Sequence, residues 1–171
     1  MYAAPTLAIA KATDEMKKIL LAGFLAGLAL NANADSWKYE LLKNDFDGDT
    51  QAATIHPDKS EIELVIVKNK ASGKDDKHTV AFLLPRGVLT ASKCKTCAAR
   101  VIADGKEVDP IRLLAGSNFR TYYLYSDQGY FIDLFQNNKV VKIQMPTYRG
   151  LETLTFTQTK PLNLQDLDSV K

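Results

Sequence analysis

Ala98-Ala99-Arg100-Val101-Ile102-Ala103-Asp104-Gly105-Lys106-Glu107-Val108 is the stretch that decides the fold class. Two β-prone runs, 98–103 and 106–108, flank an Asp-Gly pair. That pair accepts the positive φ angles of a two-residue turn and is the strongest short-range hairpin signal. A hairpin here leaves no room for a long helix after Cys97, so the neighbouring chain is read as strands.

Working upstream, 60–68 alternates. Ile62, Leu64 and Ile66 face one way, and Glu61, Glu63 and Val65 the other. Segment 78–84 is a further β-rich run that stops at the turn signal Pro85-Arg86-Gly87. Segment 37–42 opens on Trp37. Downstream, 119–125 is aromatic and β-prone, and 139–145 carries Val140, Val141, Ile143 and Met145. Segment 152–159 alternates Leu154 and Phe156 with threonines, as a half-buried strand does. One segment reads as a helix: Tyr130, Phe131, Leu134 and Phe135 recur on one face. Ser126 or Asp127 can cap its start and Asn137-Asn138 ends it. The polar tail, 163–171, reads as a fraying end. Together these predict a mainly β fold, a single small β-sandwich or partly open barrel of about eight strands with one short helix.

Composition narrows the function classes. The 171 residues are 46% hydrophobic and 25% charged, with 22 Lys+Arg against 20 Asp+Glu. Those values exclude a disordered, collagen-like or coiled-coil chain. A formal charge of +2 offers no bulk attraction for nucleic acid, which is not expected as a partner. Two cysteines are too few for a disulfide-built scaffold.

The N-terminal segment reads as an address. Met16-Lys17-Lys18 precedes an apolar run from Ile19 to Leu30, and Ala32-Asn33-Ala34 follows. A basic start, a short apolar run and an A-x-A site form a signal peptide, assigned to 16–34. The run is shorter than the roughly 20 residues a membrane-spanning helix takes. Asp35 after the site, where a lipoprotein has Cys, argues against a lipid anchor. Residues 1–15 read as a misassigned upstream extension and 35–171 as a single β-rich domain. The expected location is periplasmic or secreted, with no stable membrane span after cleavage.

Candidate sites are few. Cys94 and Cys97 are expected to form a disulfide in an oxidising compartment. The alternative is a redox pair, whose thiolate Lys93 and Lys95 would favour by Coulomb attraction. Met145-Pro146-Thr147 resembles the proline segment opposite the C-x-x-C of thioredoxin-like proteins. Cys94, Cys97, His56 and His78 could form a zinc set, but the histidines lack the usual close spacing. Asp45, Asp47 and Asp49 form a calcium candidate with alternate carboxylates. Thr50 and His56 stand where an EF-hand needs Gly and Glu, so an acidic turn explains the segment better. No cofactor is expected. No G-x-S-x-G, P-loop or G-x-G-x-x-G is present, and Glu61 and Glu63 read as a solvated face. Tyr122, Tyr123, Tyr125 and Tyr130 are the densest aromatic cluster. They are core by default and a binding surface as the sharper reading.

The order of elements resembles small exported proteins of the invasion-associated locus B type and type VI secretion accessory proteins. The resemblance rests on Trp37 opening the domain, Asp45-Phe46-Asp47, Phe82-Leu83-Leu84-Pro85-Arg86-Gly87-Val88, and Val101-Ile102-Ala103-Asp104-Gly105-Lys106. The helix at 130–136, the run 139–145 and Thr153-Leu154-Thr155-Phe156 complete it. It implies an exported β-domain with an accessory or binding role and no catalytic residues. The expected function is a non-enzymatic binding or accessory protein of the bacterial envelope, its partner a protein or envelope component. The alternative is a thiol–disulfide oxidoreductase using Cys94 and Cys97.

Overall fold

Asp104 and Gly105 both take positive φ, 45° and 82°, the signature of a type I′ turn. They join β5 (Thr96–Ala103) to β6 (Lys106–Ala115), with Ala103 opposite Lys106. The Asp104 carboxylate also accepts from the Val140 N–H at 2.7 Å, and its own N–H donates to the Val140 carbonyl at 2.8 Å. One turn therefore fixes two pairings, β5 with β6 and β5 with β8 (Val140–Thr147). The computed structural model describes residues 36–43, 49–69, 78–91 and 95–171.

The remaining strands are β1 (Lys38–Leu42), β2 (Thr50–Ile55), β3 (Glu63–Lys68), β4 (His78–Leu83), β7 (Thr121–Leu124) and β9 (Gly150–Thr157). They form one antiparallel sheet in the order β1-β2-β3-β4-β7-β6-β5-β8-β9. The expected mainly β class is observed. The sheet is a single open layer of nine strands, not closed into a barrel. Its concave face is lined from Ala53 and Ile55 on β2 across to Leu154 and Phe156 on β9, all in one buried cluster.

A helix fills the concavity. α1 (Gln128–Asn137) buries Phe131, Ile132, Leu134 and Phe135. Asp127 caps it by accepting from the Tyr130 N–H at 3.1 Å, which satisfies a donor the first turn leaves free. Phe131 meets Phe82 edge-on, and Phe135 meets both Trp37 and Phe156 edge-on at 5.5 and 5.4 Å. Trp37 lies before β1 and Phe156 lies in β9, so α1 is the object around which the two ends of the sheet curl.

The free edge of β9 is partly protected. Edge strands expose unpaired backbone groups that invite foreign pairing. Here Asp58, in the β2–β3 loop, donates its N–H to the Thr155 carbonyl at 2.8 Å. Its carboxylate accepts from the Thr157 N–H at 3.1 Å and the Thr157 hydroxyl at 2.8 Å. Asp58→Ala is expected to cost about 1 kcal/mol, the loss of two carboxylate hydrogen bonds at an exposed site. Urea denaturation checks it; an unchanged midpoint would mean the loop does not hold the edge.

Two differences from the sequence reading have physical causes. Strand β2 lies where no strand was predicted, because Thr50-Gln51-Ala52-Ala53-Thr54 has little apolar alternation of its own. Its Ala52 and Ala53 are fully buried by their neighbours. The tail does not fray: α2 (Leu164–Ser169) is capped by Asn163, whose Oδ1 accepts from the Gln165 N–H at 3.0 Å. Leu162 and Leu167 are buried, and Lys68 pairs with Asp168 at 2.7 Å. Two leucines in a polar run are too sparse for a periodic signal, yet enough to anchor one and a half turns.

Candidate functional site

The tyrosine cluster is dispersed by the strand period, since neighbours on a strand face opposite ways. Tyr122 is fully buried and belongs to the core, not to a surface. Its hydroxyl accepts from the Ala91 N–H at 2.8 Å and donates to the Pro146 carbonyl at 2.9 Å. Burial pushes its pKa up, and likewise that of Tyr123 on the other face. Tyr125 is exposed. Tyr130 sits on α1, where burial first and the Asp109 charge second raise its pKa. The four residues do not share one surface.

The metal candidates are not assembled. His56 follows β2 beside the start of β3, whereas His78 opposes Lys68 at the end of β3. Among the described residues no group of three His, Cys, Asp or Glu side chains could hold a metal ion. Asp49 is exposed, while Asp45 and Asp47 lie outside the described residues. Cys94 also lies outside them. Cys97 is not a free thiol and is the second residue of β5. The chain after it continues as strand, so no helix N-terminus follows to stabilise a thiolate.

Glu63 departs from the solvated reading, because its side chain is only 15% exposed. Its carboxylate lies 3.7 Å from His56 Nε2. That is within ion-pair reach, yet both groups are held toward their neutral forms. Burial pushes Glu63 up, aided by the like charge of Glu40 and opposed by Lys38. Burial, then Lys38, pushes His56 down from its ordinary 6.5. The contact therefore joins two groups that burial biases away from a charged ion pair. A raised Glu63 stabilises the fold below the ordinary carboxylate range and loses that contribution as pH rises through its folded value. A lowered His56 stabilises above its ordinary value and loses that contribution as pH falls through its folded value. Glu63→Gln, a permanent neutral form, is therefore expected to raise stability at pH 7 by up to about 1 kcal/mol. The gain should vanish near pH 4. Paired urea titrations at the two pH values check it; equal effects at both would contradict the burial argument.

Sequence reasoning missed the surface that the topology builds at one end of the sheet. Three loops converge there: 85–91 after β4, 116–120 between β6 and β7, and 146–151 around the β8–β9 turn. Backbone bonds knot them together. The Thr90 N–H donates to the Phe119 carbonyl at 2.7 Å, and the Tyr148 N–H to the Leu89 carbonyl at 3.1 Å. Thr90 also bridges to Thr147. Leu89, Phe119, Tyr148 and Leu151 account for four of the five large apolar side chains exposed among the described residues.

Each loop brings one arginine: Arg86, Arg120 and Arg149. None of the three loops contains Asp, Glu or Lys. No described residue forms an ion pair with these arginines. The nearest carboxylate along the chain, Glu152, accepts from the Ser60 hydroxyl at 3.0 Å. Tyr148 is held in place: its hydroxyl donates to the Gly87 carbonyl at 2.8 Å and accepts from Arg149 Nε at 2.7 Å. The Arg149 guanidinium also lies 5.2 Å from the Tyr148 ring centre, within cation–π range.

Phe119 has φ +54°. That left-handed conformation costs a residue with a Cβ roughly 1–2 kcal/mol, and here it displays a ring that is 52% exposed. Strain of this kind, spent on exposing an aromatic, is a pointer to function. The local signal in sequence is slight, one arginine beside a glycine or an aromatic in each loop. Only the strand order shows that the loops meet.

Among the described residues no helix is long and apolar enough to cross a membrane. No family model, curated protein or solved structure matches the chain.

Proposed function

We propose that the chain is an exported, non-enzymatic binding or accessory protein of the bacterial envelope. Its partner is a protein or an envelope component, and it engages that partner through loops 85–91, 116–120 and 146–151. The observation that carries the reading is the convergence of four exposed apolar side chains with three arginines that have no ion-pair partner among the described residues. Interfaces are enriched in aromatics and arginine and depleted in lysine and carboxylates relative to the rest of the surface. The signal-type segment 16–34 and the resemblance to exported accessory proteins support the location. Fold alone does not identify a function, so the reading rests on this surface.

In this reading Cys94 and Cys97 form a structural bridge that closes the entry to β5. Two measurements test the whole. N-terminal determination of the exported protein should give Asp35, and an intact Met1 or Met16 would overturn the export reading. A photo-cross-linking amino acid at Leu151 should capture a discrete partner in the cell envelope, while one at Lys106, at the opposite end of the sheet, should not. Equal capture from both positions would overturn the assignment of the binding face.

A further inference from the structure

We infer that the partner presents an acidic, extended protein segment, carboxylates flanking apolar side chains, to the arginine-and-aromatic end of the sheet. This rests on the binding reading above and adds the chemistry of what is bound. Three features of the surface carry it.

The first is charge. Arg86, Arg120 and Arg149 come from three separate loops and none has a carboxylate partner among the described residues. Exposed Lys95, just before β5 at the same end, adds a fourth positive charge. Like charges clustered without an ion pair repel one another, and an acidic partner relieves that repulsion while steering its own approach. The cations in the three loops are all arginine. A planar guanidinium matches a carboxylate with two parallel hydrogen bonds, which a lysine ammonium does not do.

The second is the apolar content and its rigidity. Phe119 and Tyr148 stand beside the arginines, and Tyr148 is locked by its two hydrogen bonds. A preorganised aromatic loses little side-chain freedom on binding, which favours a specific protein contact.

The third is continuity with an open strand edge. Asp58 occupies the backbone of β9 at Thr155 and Thr157. Leu151 and Thr153 lie on the same edge, closer to the arginines, and both are exposed. An extended segment can add main-chain hydrogen bonds there while its side chains reach the arginines, the mode of strand addition.

The test uses the mature chain, 35–171, and a fluorescein-labelled peptide of alternating Glu and Leu. Fluorescence anisotropy should show saturable binding that weakens as salt rises. A matching Lys-Leu peptide should not bind. The triple variant R86Q/R120Q/R149Q should bind at least about 30-fold more weakly. R100Q, which removes an exposed arginine already paired with Glu107, should bind like the parent. All four positions are exposed, and circular dichroism confirms that the variants fold. Equal binding of the Glu and Lys peptides, or full binding by the triple variant, overturns the inference. So does tight binding to phosphatidylglycerol vesicles without binding to the peptide, which would mean a lipid surface as partner. Capture from Leu151 in the envelope without peptide binding overturns the acidic-segment inference alone. Failure of both experiments overturns the binding reading with it.

Discussion

Replacing Gln158 by alanine is expected to lower the unfolding free energy by about 3–5 kcal/mol. Gln158 is 2% exposed and sits just beyond β9, where the two ends of the sheet meet over α1. Its Oε1 accepts from Trp37 Nε1–H at 2.5 Å. Its Nε2 donates to the carbonyls of Phe135 at 3.1 Å and Asn138 at 2.7 Å. Truncation strands the buried Trp37 donor and takes a partner from the Asn138 carbonyl, while the Phe135 carbonyl keeps the Leu162 N–H at 3.1 Å. Each group left unsatisfied costs about 1–3 kcal/mol, against only about 1 kcal/mol for an average hydrogen bond between satisfied states. Gln158→Glu keeps the size but loses the donor, so it should also destabilise. Urea denaturation supplies the value. Trp37, the single tryptophan, reports the same transition by fluorescence. A loss below about 1 kcal/mol would mean that water replaces the side chain at little cost.

Phe135→Ala is expected to cost a similar amount, about 3–5 kcal/mol. The ring is fully buried and touches Trp37, Phe131 and Phe156. Those partners come from the segment before β1, from α1 and from β9. The cavity would open where no single element can collapse to fill it, which puts the cost toward the upper end of the range. Phe135→Leu, nearer in volume, should lose less than half as much. Thermal and urea denaturation of both variants check the order. Because Gln158 holds the Phe135 carbonyl, the two alanine variants should combine non-additively, as residues in one network do. A Phe135→Ala loss below about 2 kcal/mol would contradict a sheet curled around α1 as its core.

Much of this framework was legible in the sequence because its signals are local. Asp104-Gly105 demands positive φ, and the residues on each side have the right alternation. The apolar face of α1 and its Asp127 cap are contained within ten residues. The missed elements share a physical reason: their stability comes from elsewhere. Ala52 and Ala53 are buried by strands on either side of β2, and Leu167 by a core built from distant segments.

Glu63 was read as solvated from spacing alone, but its environment depends on where Glu40, Lys38 and His56 fall across β1 to β3. The candidate surface was the least legible. Tyrosine density along the chain pointed to 122–130, yet adjacent strand residues face opposite sides, and Tyr122 turned inward. Leu89, Phe119 and Tyr148 are 30 and 29 positions apart. Only the β4–β7 pairing and the Thr90–Thr147 bridge bring them together.

The proposed binding role of this end of the sheet implies a local expense to stability, the left-handed backbone at Phe119. Phe119→Gly tests it most directly, because glycine adopts the left-handed conformation without strain. Relief of roughly 1 kcal/mol should offset the burial lost with a half-exposed ring, leaving stability within about 0.5 kcal/mol of the parent or above it. Urea denaturation reads the stability, and anisotropy with the Glu-Leu peptide reads binding on the same preparation. The expected result is an equally stable protein that binds about tenfold or more weakly. A variant that loses stability and binds as tightly as the parent would make Phe119 a packing residue and contradict the claim.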